Sequence, residues 1–254
     1  MLVLPSLDRP LLLREAAGLL PRPARRLFLR NALSLGSLVM LTGCDITDGK
    51  GAEKALRHVS RFNDRVQARL FDPHKLAQEF PASMITTPFP FNAFYPEKDV
   101  PEVEPRDFAL EISGQVADKS SWSLARLYAL PLFSQITRHV CIEGWSAIGQ
   151  WEGVRFSHFL RLIGADLGAK FVGFRCADGY ASSIDMPTAL HPQTQLTFRF
   201  CGQVLPPKYG FPMKLRVPTK LGFKNPKHIV EIYVTNDFPG GFWEDLGYNW
   251  FSGL

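Results

Sequence analysis

The sequence predicts an α+β fold: mixed β-sheets with short helices, preceded by one amphipathic helix. Three observations carry this expectation. Runs of strand-like alternation and runs with helical spacing intermix between residues 108 and 235, without the regular strand–helix–strand period of a parallel sheet. Twenty Gly and twenty Pro interrupt the chain too often for a helical bundle. Twenty Phe, in a chain that is 46% hydrophobic and 21% charged, are enough for a sizeable core and exclude a disordered or coiled-coil chain. One dominant sheet system is expected.

The first 43 residues read as a leader. Arg25-Arg26-Leu27-Phe28-Leu29-Arg30 is followed by an uncharged stretch, Asn31 to Gly43. That stretch is shorter than the ~20 apolar residues that span a bilayer. A cationic start, a short apolar middle and a small-residue end describe an export signal, and the paired arginines match the twin-arginine pattern. Leu41-Thr42-Gly43-Cys44 resembles a lipobox, which makes Cys44 the expected lipid-bearing residue. The alternative is a basic amphipathic membrane helix. Residues 1–43 hold six Arg against Asp8 and Glu15, a net of +4 out of the +5 for the whole chain. The remainder is therefore nearly neutral, and its charge gives no case for a nucleic-acid partner.

Residues 44–80 read as a polar tether and N-terminal helices. From Glu53 to Phe71, Leu56, Val59, Phe62, Asn63, Val66 and Leu70 recur at three- and four-residue steps, with Arg57, Arg61, Arg65 and Arg69 on the other side. Asp72-Pro73 looks like a cap followed by a first-turn proline, predicting a second short helix to Phe80. Residues 81–254 form the main domain. It opens on an arm with prolines at 81, 88, 90, 96, 101 and 105. Such an arm is neither helix nor central strand, and should wrap the core or line a site.

Strands are then predicted at Phe108–Gly114 and Ile136–Ile142. Phe171–Cys176 pairs with Tyr180–Asp185 across Asp178-Gly179. Leu196–Phe200 meets Val204-Leu205, and Lys214–Val217 and His228–Thr235 complete the set. Short helices are expected from Ser123 to Leu130 and from Phe156 to Ile163.

Cysteines occur at 44, 141, 176 and 201. With Cys44 lipidated, three remain, so at least one stays unpaired within the chain. A Cys176–Cys201 disulfide is left open. Cys141 sits in Arg138-His139-Val140-Cys141-Ile142-Glu143-Gly144-Trp145-Ser146, where a strand runs into a loop. Zinc lacks the usual companion ligands there. A nucleophilic thiol beside His139 is a second reading. A serine elbow fails because the spacing is G-x-S-x-x-G. A thiolate on a soft transition metal is the third reading.

The segment R-H-V-C-I-E-G-W-S resembles the metal-cysteine segment of the sulfite oxidase superfamily. The likeness extends to its exported methionine sulfoxide reductase branch, the MsrP (YedY-like) proteins, and runs roughly from Asn92 to Thr235. Three further segments arrive in the family's order. They are Asn92-Ala93-Phe94-Tyr95 followed by Pro96, Leu205-Pro206-Pro207-Lys208-Tyr209-Gly210-Phe211-Pro212, and Val217-Pro218-Thr219-Lys220-Leu221-Gly222-Phe223-Lys224-Asn225-Pro226-Lys227.

The resemblance implies a sulfite-oxidase-type fold carrying one molybdenum–molybdopterin, in the single-pterin form without a nucleotide. It makes Cys141 the metal ligand and catalytic centre. His191 is a second catalytic candidate. Asn92, Tyr95, Pro96, Cys176, Tyr209, Lys214, Lys220, Lys224, Asn225, Pro226 and Lys227 become cofactor-binding candidates, with the lysines serving the anionic phosphate. Cys176, Lys214 and Tyr209 depart from the branch's Thr, Arg and Asn, so those contacts are expected to differ.

The implied activity is two-electron oxygen-atom transfer in an exported, periplasmic enzyme. Reduction of an S-oxide or N-oxide such as methionine sulfoxide comes first, and oxidation of sulfite or another small substrate second. Sulfite would call on arginines, of which Arg138, Arg155 and Arg175 are candidates. A non-catalytic lipoprotein that kept the fold is the remaining rival. No C-x-x-C-H haem motif occurs, so electrons are expected to pass through a separate membrane haem protein.

Overall fold

The structure is a computed structural model that describes residues 49–254. The expected leader, its paired arginines and Cys44 lie outside the described residues. Helix α1 spans Gly49–Leu70. Strand β1, Ala109–Gly114, is followed by β2, Trp122–Ser123, and helix α2, Leu124–Tyr128. The long pair β3, Phe133–Val140, and β4, Ser146–Arg155, leads into α3, Phe156–Leu162. Strands β5, Phe171–Cys176, and β6, Ala181–Asp185, precede α4, Met186–Leu190. The chain ends with β7, Gln195–Phe200, β8, Gln203–Val204, β9, Lys214–Arg216, β10, Ile229–Thr235, and α5, Phe242–Asp245.

The strands build two five-stranded sheets rather than one dominant system. The first runs β2-β1-β10-β5-β6, with β1 and β10 parallel and the other pairs antiparallel. The second runs β3-β4-β7-β8, with β9 also paired to β7. Both sheets and α3 feed one apolar core, in which Leu110, Phe156, Phe159, Val172, Phe174, Leu196, Leu215 and Ile232 are buried. Ser123 caps α2 by accepting from the Arg126 N–H, as its position before an apolar run suggests.

Strand β4 escaped the sequence reading because its burial does not alternate cleanly and two glycines interrupt it. Gly153 is there for close approach. A Cβ at that position would lie 1.8 Å from the Leu196 carbonyl oxygen on β7.

The helix expected over residues 73–80 does not form. Asp72 Oδ1 instead accepts from the His74 N–H in a local turn. The chain beyond is captured by tertiary partners: Gln193 bonds both backbone groups of Ala77, and the Phe80 N–H donates to the Ile136 carbonyl. Edge contacts outweigh a cap signal worth about 1 kcal/mol.

The proline-rich arm continues along the second sheet. Thr86 exchanges hydrogen bonds with Ile148 on β4, and Tyr209 Oη donates to the Phe89 carbonyl at 2.7 Å. Phe89 is buried with Ala147, Trp151, Leu205 and Tyr209 in a second, smaller cluster, a burial worth about 1.5–3 kcal/mol. The arm is thus fixed where it passes the end of β3.

Candidate active site

Cys141 follows β3 directly. The Cys141 N–H donates to the Trp145 carbonyl, and the Gly144 N–H donates back to the Cys141 carbonyl. This closes a tight turn between β3 and β4. Gly144 has φ +93, a conformation that disfavours any side chain. The turn presents the sulfur to an open cleft.

Besides Cys141, the cleft is lined by Asn92, Ala93 and Phe94 from the arm and by Ile142 and Glu143 from the turn. Asp178 and Tyr180 come from the β5–β6 tip. Gly222, Phe223, Asn225, Pro226 and Lys227 come from the loop after β9, and Trp243 from α5. Five separate stretches of chain therefore line one cleft, one of them carrying the sulfur.

The sulfur is 3.7 Å from Glu143 Oε2, which also accepts from Trp145 Nε1 at 2.9 Å. Burial pushes the thiol up. The Glu143 backbone N–H works against that shift, and the Glu143 carboxylate adds to it. A buried thiol raised in this way is no ready nucleophile, whereas a cation bound there would reverse the shift.

Behind Cys141 stands His139, which is 1% exposed. Burial lowers its pKa well below the usual value, and the charges of Lys214, Arg216 and Lys227 add to the effect, so the ring is neutral. Its Nε2 lies 3.4 Å from Asn92 Nδ2. With Nε2 accepting, the proton sits on Nδ1, which is buried and has no partner among the described residues.

Lys227 is the cation of the cleft wall. Its ammonium donates to the Asn92 and Lys208 carbonyls and lies 4.8 Å from the Phe91 ring. Burial pushes it down to about 8, with Asp178 opposing. Asn225 lines the cleft, but its amide is committed to the chain. Oδ1 accepts from Arg216 and from the Val217 N–H, while Nδ2 donates to the Leu221 carbonyl. Arg216 also donates to Thr137 Oγ1 and the Arg138 carbonyl. One fully buried guanidinium, pushed down to about 9 by burial, thus ties the end of β3 to the 217–227 loop.

Tyr95 and Cys176 lie just behind the lining. Tyr95 Oη donates to Asp178 at 3.0 Å, and both Tyr95 and Cys176 are pushed up, chiefly by burial. The structure therefore gathers Cys141, Asn92, Asn225, Pro226 and Lys227 around the cleft, with Tyr95 and Cys176 behind them.

The other expected residues stand apart from the lining. Lys224 pairs with Glu244, both side chains being buried. The Lys220 ammonium is buried over the Phe251 ring, 3.9 Å from Asp185 and without a hydrogen-bond acceptor. Lys214 is buried beside the Trp151 ring at 4.6 Å. Tyr209 anchors the arm, and Pro96 leads into the turn at Glu97–Asp99. His191 is satisfied elsewhere: Nδ1 accepts from the Gln193 N–H, which leaves Nε2 to donate to the Lys75 carbonyl.

Cys176 and Cys201 are free thiols, one buried and one exposed, so the disulfide left open by the sequence does not form. Glu143, Asp178, Phe94 and Trp243 were not singled out from sequence. Glu143 carries one usable signal, its position two residues beyond Cys141. Trp243 carries none.

The residues fit a molybdopterin. The donor set offers one soft sulfur with open space before it. Glycine at 222 lets a backbone turn press against His139, since a Cβ there would lie 2.5 Å from Nε2. Lys227, the cation of the lining, offers an ammonium donor that an anionic tail could use.

The family model described as oxidoreductase molybdopterin binding domain matches residues 97–243. A protein of Azospira oryzae that carries the provisional name protein-methionine-sulfoxide reductase subunit YedZ1 is 62% identical over 231 residues, covering 91% of this chain and 88% of its own. The protein-methionine-sulfoxide reductase catalytic subunit MsrP of Xanthomonas campestris is 30% identical over 191 residues, 65% of this chain and 59% of its own. This chain thus spans less than two thirds of that relative. The solved sulfane dehydrogenase SoxCD of Paracoccus pantotrophus superposes with a TM-score of 0.51 at 19% identity, over 54% of this chain and 40% of that one. That likeness speaks to the fold alone.

Proposed function

The chain belongs to the molybdopterin-binding oxidoreductases, on their MsrP-type side, and from that premise we propose that it reduces a neutral S-oxide, with methionine sulfoxide as the leading substrate. The observation that carries this choice is the charge of the cleft wall. Glu143 and Asp178 face it against one cation, Lys227. A sulfoxide is dipolar but uncharged, whereas sulfite is an anion and would be repelled. The arginines that a sulfite site would use are dispersed. Arg138 packs on Phe80, Arg155 lies over Phe133 and donates to the Pro192 carbonyl, and Arg175 pairs with Glu231.

The enzyme is a molybdenum-dependent oxidoreductase. A single pterin without a nucleotide is the form we assign to it. When bound, the cofactor supplies two electrons and a coordination position that accepts an oxygen atom. Cys141 Sγ is the proposed metal ligand, held by the turn that Gly144 closes. Asn92, Lys227 and the backbone of the Gly222–Pro226 loop are the proposed cofactor holders. Phe94, Tyr180 and Trp243 offer apolar walls for the thioether side of a substrate. The overall conversion takes a sulfoxide, two electrons and two protons to a thioether and water.

Electrons are proposed to come from a separate membrane haem protein. The relatives' names as reductase subunits support such a division of labour. Export by the twin-arginine route to the periplasm, with a lipid on Cys44, rests on Arg25-Arg26 and Leu41-Thr42-Gly43-Cys44. Among the described residues no helix is long and apolar enough to cross a membrane.

The test is a panel of sulfoxides, N-oxides and sulfite offered to cofactor-loaded protein with artificial electron carriers, alongside molybdenum per chain. Turnover of sulfoxides with little of sulfite is expected. Preferential sulfite oxidation would end the substrate reading. Absence of molybdenum from protein matured with its cofactor machinery would end the enzymatic one.

A further inference from the structure

Helix α1 meets the rest of the protein through its polar seam. Asp64 Oδ1 accepts from the Phe251 N–H, Gln67 Oε1 accepts from the Gly253 N–H, and Asn249 donates to the Ser60 carbonyl. Phe71, just past the helix, packs edge-on against Phe251. These contacts fix the rotation of the helix about its axis. They turn its apolar stripe outward: Val59 is 58% exposed, Phe62 63%, Val66 39% and Leu70 77%.

At 3.6 residues per turn these four side chains fall within roughly 80° of one another. Globular helices bury such a stripe, and a contiguous exposed one marks an interaction surface.

The charge around the stripe selects the occupant. Residues 57–71 contain four arginines and one acid, Asp64, and that acid is spent on the Phe251 N–H. Arg65 and Arg69 are exposed, and helical spacing places them along the edge of the stripe away from the seam. A second copy would bring like charges together. A surface of phosphates would be complementary, with the long arginine stems reaching headgroups while Phe62 and Leu70 enter the acyl boundary.

We propose that the outward face of α1 binds in the plane of an anionic lipid bilayer. The proposal does not depend on the substrate or on lipidation of Cys44. The test uses the full chain carrying Cys44→Ser, so that no acyl chain contributes, and vesicles of phosphatidylcholine with or without about 30 mol% phosphatidylglycerol. Binding to the anionic vesicles should be at least roughly tenfold tighter and should weaken as salt rises. Val59→Ser with Val66→Ser, or Arg65→Glu with Arg69→Glu, should each cost about tenfold or more. Thermal unfolding should be unchanged, because the altered side chains are exposed.

Insertion is read independently of the leader by Phe62→Trp, whose added fluorescence over the parent should be quenched by brominated lipids. Unquenched fluorescence on bound protein, or variants that bind as tightly as the parent, would overturn the proposal. A vesicle-free dimer that dissociates when Val59 and Val66 are replaced would also overturn it, by giving the stripe to a second copy.

Discussion

Gly222 lies against His139 with no space for a side chain between them. A Cβ at 222 would come within 2.5 Å of His139 Nε2 and 3.2 Å of the Val140 carbonyl oxygen. The contact joins the loop after β9 to the strand that delivers Cys141, so the two walls of the cleft are set by one close approach.

Gly222→Ala should therefore push the loop off β3. The expected cost is about 1–3 kcal/mol of stability, as for other overpacked sites, together with a lower yield of bound molybdenum. Denaturant melts and metal content measure the two effects separately. Unchanged values in both would show that the loop yields at no cost.

Cys141→Ser should leave the fold intact, since serine is close to cysteine in size and the side chain borders open space in the cleft. Turnover should fall by about 100-fold or more, beyond what changes to supporting residues produce. X-ray absorption at the molybdenum edge should lose one sulfur neighbour. A parent protein in which no polypeptide sulfur is seen on the metal would remove Cys141 from its proposed role.

Lys220 gives a pH signature. Burial lowers its pKa to about 7 from the usual lysine value, despite Asp185 nearby. Between about pH 7 and 10.5 the unfolded chain holds a proton at this residue that the folded chain has released, so its contribution to stability rises with pH across that window. Below pH 7 both states carry the proton and the full cost of burying it remains. Lys220→Met should be most favourable relative to the parent near pH 6 and lose that advantage toward pH 10. The change is a few kcal/mol, at about 1.4 kcal/mol per unit of displacement. A difference between variant and parent that is flat in pH would mean that the ammonium is solvated.

Tyr209→Phe removes the bond to the Phe89 carbonyl and leaves that oxygen buried. A loss of about 1–3 kcal/mol is expected. Residues 85–95 should become more sensitive to proteolysis, because the arm loses its anchor beside the cleft. An arm that resists cleavage as well as the parent's would place its anchoring elsewhere, in Thr86 and Lys227.

Much of the fold was legible because its signals are local. Alternation marked β1, apolar runs marked β3, β5, β6, β7 and β10 to within a few residues, and the Asp178-Gly179 turn joined a real hairpin. Strand β4 was not legible. Its glycines serve contacts with other strands, which a single sequence does not display. The helix expected after Pro73 was lost for the same reason: Gln193, more than a hundred residues away, claims Ala77.

The cleft was legible in part. Cys141 stood out because its segment and three others keep a fixed order along the chain. The lysines after Val217 did not sort themselves. In sequence they form one cationic run, yet in the structure Lys227 faces the cleft, Lys224 meets Glu244 and Lys220 lies over Phe251. The turn at Gly222–Lys224 sends neighbouring side chains in opposite directions, so each finds a different environment.

The sequence by itself thus determined the family and the order of most of the strands, and it pointed to Cys141, because composition, periodicity and motif are properties of neighbours along the chain. Only the tertiary structure decided which cations reach the cleft, that Glu143 and Asp178 give its wall an acidic balance, and that α1 turns its apolar side outward. Each of those outcomes depends on distances between residues far apart in sequence, and such distances exist only once the sheets have packed.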